Sequence, residues 1–143
     1  MTTLAAIAAS RVSEAALRPV FLLRPIVLLR AEAAAALVCG VLAFAYLGHS
    51  WWLFVGLFLV PDLAIAGYLK GPRVGAAIYN AAHLTVIPAA LGLVAAGLGE
   101  TLPAALAAIW VAHIGLDRML GIGLKLPSGF ADTHLGNVGR TKA

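Results

Sequence analysis

The chain has 143 residues, of which 62% are hydrophobic and 11% charged, with a mean hydropathy of +0.98. So short and apolar a chain cannot hide its hydrophobic residues in a water-soluble core, and it reads as an integral membrane protein. The net charge of +4 does not mark a nucleic-acid binder, because the cations gather at the ends of apolar segments and no basic face is interleaved with aromatics.

Residues 1–24 are expected to form an amphipathic helix on the cytoplasmic surface. Arg11, Glu14 and Arg18 share one helical face, Leu4, Ile7 and Val12 are apolar, and Pro19 ends the run. A secretory signal would put its positive charge before the apolar stretch, whereas here the charge follows it. Four apolar segments come next, at about 25–48, 51–69, 74–98 and 102–124, the first beginning near Pro25 or Ala31. Each approaches the roughly 20 residues that cross a hydrocarbon core of about 30 Å. Turn chemistry separates them at Gly48-His49-Ser50, at Lys70-Gly71-Pro72-Arg73, and at Gly99-Glu100-Thr101 ahead of Pro103. Links this short make consecutive helices antiparallel neighbours. The expected fold is all-α, an integral membrane four-helix bundle with an N-terminal amphipathic interfacial helix and a tail over residues 125–143. Arginines before the first span, Lys70 and Arg73 between the second and third, and Lys125, Arg140 and Lys142 after the fourth put both termini in the cytoplasm. Trp51 and Trp52 then lie at the outer interface. The single Cys39 excludes an intrachain disulfide.

Polar residues recur at one level of this bundle. Counting from the cytoplasmic ends puts Asp62, Asn80 and Asp117 about 10 Å deep and His83 and His113 about 15 Å deep. Arg118 adjoins Asp117, and Glu32 joins the shallower tier if the first span starts at Pro25. Each such group costs a few kcal/mol in hydrocarbon unless paired or wetted, so their coincidence points to a shared polar site. Asn80 and His83 are spaced i, i+3 and His113 and Asp117 i, i+4, so each pair shares a helix face. Tyr68 and Tyr79 are placed at the cytoplasmic mouth of the site, and Pro61 and Pro88 are expected to kink the second and third helices.

Three chemistries fit this layer. His83, His113, Asp117 and Asp62 are a ligand set for a divalent metal such as zinc, iron or manganese. Haem between His83 and His113 is disfavoured, since neighbouring helices 8–10 Å apart leave no room for a porphyrin. The third is acid/base catalysis, with His113, Asp117 and His83 as the catalytic groups and a carboxylate orienting an imidazole. Asp62, Asn80 and Arg118 would bind a small anionic ligand, helped by Lys125, Lys70 and Arg73. The glycine-rich tail could fold back as a lid that adds Asp132 and His134, or remain solvated. Against all of these stands a structural or assembly role, in a homo-oligomer or larger membrane complex, with polar residues that only join helices and an Asp–Arg118 ion pair as the lock.

The residues Trp51-Trp52, Pro61-Asp62, Gly67-Tyr68, Gly71-Pro72-Arg73, Tyr79-Asn80, His83, His113, Asp117-Arg118, Lys125, Gly129-Phe130 and Asp132-Thr133-His134-Leu135-Gly136 resemble the domain of unknown function 4260 family of small bacterial multi-pass membrane proteins. The resemblance runs from about Leu28 to Gly136. It implies a compact four-helix domain in the bacterial cytoplasmic (inner) membrane and assigns no activity.

Overall fold

The computed structural model describes residues 24–137. The amphipathic helix expected at the N-terminus lies outside the described residues. The rest is all-α, four helical rods with a small hairpin at the end. The first rod is α1, Pro25–Tyr46, opened by a proline at a position where its missing N–H costs nothing. The second comprises α2, Trp51–Leu57, and a 3₁₀ helix, Val60–Lys70. The third is divided into α3, Pro72–Ala82, and α4, Val86–Leu98, and the fourth is α5, Thr101–Leu120. Three rods, Pro25–Tyr46, Trp51–Lys70 and Pro72–Leu98, are long and apolar enough to cross a membrane. Their outward faces carry large apolar side chains, among them Leu42, Trp52, Leu63 and Leu93, as lipid contact demands.

The more polar α5 is the central rod. Ala105, Ala108, Ile109, Ala112, His113, Ile114 and Asp117 are all buried on it. It packs most extensively against α1 and then α4. Gly40 and Gly115 set the α1–α5 distance: a Cβ at Gly40 would stand 2.7 Å from the Ala108 carbonyl oxygen, and one at Gly115 would stand 2.8 Å from that of Ala33. Backbones this close are typical of membrane helices joined by small residues.

Two rods depart from the continuous spans expected at 51–69 and 74–98. In the second, Pro61 has no N–H to bond the Leu57 carbonyl, and from Val60 the chain winds as 3₁₀ for 11 residues, far beyond the usual three or four. This rod packs closely on α3, with the Tyr68 ring occupying the space beside Gly75. In the third, α3 ends at Ala82 and α4 begins at Val86, so Pro88 falls in the first turn of α4, where its lack of a donor is harmless. The fourth rod stops at Leu120, short of the expected 124. Gly121 takes φ 90° there, and the Gly121 and Ile122 amides bond the Arg118 and Asp117 carbonyls at 3.0 and 2.8 Å.

Beyond this cap the tail folds back on itself. Strands β1, Asp132–Thr133, and β2, Gly136–Asn137, form a hairpin, and Lys125 bridges to Thr133.

Candidate metal centre

Four ligand-bearing side chains from three rods converge where those irregularities occur. Asp62 comes from the first turn of the 3₁₀ helix. His83 is the residue on which α3 ends, with φ −110° and ψ 14°, so the break delivers its ring inward rather than along the helix face. His113 and Asp117 project from one face of α5, as their i, i+4 spacing implies. One ligand atom from each lies within 4.8 Å of the other three. The Nε2 atoms of His83 and His113 are 3.1 Å apart. His83 Nε2 is 3.6 Å from Asp62 Oδ1 and 3.5 Å from Asp117 Oδ2, and His113 Nε2 is 3.6 and 3.9 Å from the same oxygens. A tetrahedral ion with bonds of about 2.0–2.1 Å has ligand–ligand edges of about 3.3 Å. Five of the six separations, 3.1–3.9 Å, are therefore close to those of a four-coordinate site.

The protons point the same way. His83 Nδ1 donates to the Tyr79 carbonyl at 2.9 Å, which leaves Nε2 as a lone pair aimed into the cluster. Beside it are two carboxylate oxygens and the His113 Nε2. Besides the Tyr79 hydroxyl, which donates to Asp117 Oδ2, these four acceptor atoms share a single ring proton, that of neutral His113. If His113 holds that proton on Nε2, its buried Nδ1 is a bare acceptor; if on Nδ1, an orphaned donor, since Nδ1 has no partner. A cation at the centre removes the conflict between the four acceptors.

The surroundings orient the set. The Tyr79 hydroxyl donates to Asp117 Oδ2 at 2.9 Å, and its ring stacks on His83 with centroids 3.8 Å apart. Phe58 meets His113 edge-on, the last of a line of rings that runs from Trp51 through Phe54. His83 and His113 are 3% and 1% exposed and Asp117 is 8% exposed, whereas the Asp62 side chain retains 35% exposure. The open side of the cluster is therefore the Asp62 side. Nε2 atoms 3.1 Å apart leave no gap for a porphyrin between these two rings.

Other residues singled out from the sequence are placed differently. Asn80 does not share the cluster with His83, because the helix ends between them. Its amide instead clamps the tail backbone, accepting from the Lys125 N–H at 2.6 Å and donating to the Lys125 carbonyl at 2.9 Å. Arg118 forms no ion pair with Asp62 or Asp117 among the described residues; its Nη2 donates to the His83 carbonyl at 3.2 Å. Asp132 accepts from Ser128 and Asn137, and His134 Nδ1 accepts from the Leu124 N–H at 2.8 Å, so both serve the hairpin rather than the cluster.

The tail nevertheless covers one end of the site. Lys125 is 3% exposed, its Nζ 4.1 Å from the Phe130 ring centroid and 5.1 Å from that of Tyr79, and Phe130 packs edge-on to Tyr68. Burial pushes the Lys125 ammonium pKa below its usual value, against the pull of Asp117 and Asp62. The phenol of Tyr79 as the donor to Asp117, and Phe58 and Phe130 as walls, were not expected from the sequence. A tyrosine four residues before a histidine was the one available signal for the first, and no local pattern marks the other two.

Neither the curated proteins nor the solved structures provide a match to this chain. A family model described as domain of unknown function (DUF4260) matches residues 26–138, and the chain belongs to that family.

Proposed function

We propose that this protein is a multi-pass protein of the bacterial inner membrane that binds a divalent transition metal in the cytoplasmic half of its bundle. Both termini are assigned to the cytoplasm. His83, His113, Asp62 and Asp117 are the ligands, and the observation that carries the reading is the near-tetrahedral spacing of their four atoms. Two imidazoles and two carboxylates suit zinc, iron or manganese. Asp62, the most exposed of the four, is the ligand assigned to exchange, which would open a coordination position. A metal so held supplies Lewis-acid character, and the nearby Lys125 ammonium favours an anionic group on the same side.

The other reading, a structural or assembly subunit, is supported by bonds to backbone carbonyls that tie the rods together, Trp110 to that of Ala82 at 2.6 Å and Arg118 to that of His83. Elemental analysis of detergent-purified protein separates the two. Metal binding predicts close to one equivalent of metal per chain, lost in the His83→Ala, His113→Ala double variant while elution volume and helicity persist. Wild-type protein that takes up no zinc, iron or manganese, on purification or on titration, refutes the metal reading.

A further inference from the structure

A second polar cavity lies on the other side of α5 from the metal cluster, and nothing in the metal reading uses it. It has a volume of about 150 Å³, and its polar wall consists of Glu32 from α1, Thr85 from the α3–α4 break, Arg118 from α5 and His134 from the hairpin. Leu29, Ala36 and Ile114 supply apolar lining. Three of the polar groups have unused hydrogen-bonding capacity. Thr85 Oγ1 is buried without a partner. His134 Nδ1 accepts from the Leu124 N–H, so in the neutral ring Nε2 carries the proton and remains a donor. Glu32 makes no ion pair or hydrogen bond among the described residues, although it stands about 10 Å along α1 from Pro25, a depth at which an unpaired carboxylate is costly.

The wall is therefore of mixed sign. Arg118 and the His134 N–H favour an anion, and Glu32 favours a cation that can donate hydrogen bonds. A neighbouring open cavity shares Leu29, His134 and Leu135 and adds Arg30, a second cation. We propose that this cavity binds a zwitterionic aminophosphate, the ammonium on Glu32 and the phosphate on Arg118 and His134, and that its source is the headgroup of an ethanolamine phospholipid. A cavity of about this volume holds a six-carbon ring, so the charged part of a headgroup fits while the acyl chains stay in the bilayer. Choline lipids lack an N–H to donate to Glu32, and anionic glycerol lipids leave that carboxylate unpaired. This site is independent of the metal, although Arg118 also holds the His83 carbonyl.

The test is lipid retention, read by native mass spectrometry after equilibration of the full chain in micelles with equimolar ethanolamine, choline and glycerol phospholipids. The ethanolamine lipid is expected to be retained about tenfold over the choline lipid, and Glu32→Gln should bring that ratio to near unity. Glu32→Asp, which keeps the charge, should retain a preference, and so separates loss of charge from loss of fold. Displacement of the lipid by soluble glycerophosphoethanolamine at similar concentration would support the same chemistry with a free zwitterion as its source. Equal retention of all three lipids by the wild type, or a preference that survives Glu32→Gln, overturns the proposal.

Discussion

Tyr79→Phe removes one oxygen from the wall of the metal centre and leaves the rest in place. The phenylalanine ring keeps the stack on His83, whose centroid lies 3.8 Å away, and the Tyr79 carbonyl still accepts from His83 Nδ1. What disappears is the 2.9 Å bond to Asp117 Oδ2. A hydrogen bond to a charged acceptor contributes about 1.5–3 kcal/mol. Loss of a group that orients a ligand typically lowers metal affinity about 10–100-fold, or about 1.4–2.7 kcal/mol, so the two scales agree. The assay is competition for zinc or cobalt against a chromophoric chelator in detergent, with the cobalt absorption spectrum as a check on ligand geometry. Affinity should fall by one to two powers of ten in a protein whose helicity and elution volume match wild type. Affinity within twofold of wild type, in a protein whose His83→Ala variant has lost binding, would show that the phenol does not orient a ligand and that Asp117 is not held as described.

Asn80→Ala breaks both bonds to the Lys125 backbone, at 2.6 and 2.9 Å; each is worth about 1 kcal/mol, so the tail should become sensitive to protease and the metal should be lost to a chelator severalfold faster. Gly115→Ala places a Cβ 2.6 Å from the Leu37 amide nitrogen and should cost about 1–3 kcal/mol through separation of α1 and α5, read as a lower unfolding temperature in detergent. Lys125 has a folded-state pKa below its unfolded value, so the unfolded chain binds more protons between the two and stability should rise as pH increases through that interval towards about 10.4. Lys125→Met should abolish this rise, and a pH–stability profile identical to wild type would refute it.

The convergence of Asp62, His83, His113 and Asp117 was legible because helix rise is constant, and counting alone brings them to neighbouring levels. The facing of His113 and Asp117 was legible for a similar reason, since both lie within one unbroken helix. His83 joins the His113, Asp117 and Asp62 named with it but does not share a face with Asn80, as its spacing had suggested. Pro88 signals a disturbance in the third rod, but nothing local says that the chain will relieve it by ending α3 at Ala82, which frees His83 from the helix face that carries Asn80. The same holds for Pro61, where a kink was foreseen and an extended 3₁₀ helix is found. The tail illustrates a different limit. Its anchor is an asparagine 45 positions earlier in the chain, a pairing that only tertiary structure creates.

Charge balance gives the strongest reason to prefer a metal over helix packing as the purpose of the cluster. Interhelical polar contacts in membranes match a donor with an acceptor, as Trp110 and Arg118 do with the carbonyls of Ala82 and His83. The four facing atoms of Asp62, His83, His113 and Asp117 are instead all acceptors, served only by one proton on neutral His113 and by the Tyr79 hydroxyl, and two of them belong to groups that are negative when ionised. Arg118, the cation best placed in sequence to balance that charge, turns away to a carbonyl, and Lys125 rests against aromatic faces. Protonation of one carboxylate would supply one donor, but it would leave the charge of the other unbalanced. A divalent cation neutralises both carboxylates at once. It also lets His113 carry its proton on Nδ1 and turn both Nε2 lone pairs inward, the arrangement that the His83–Tyr79 bond already enforces for His83.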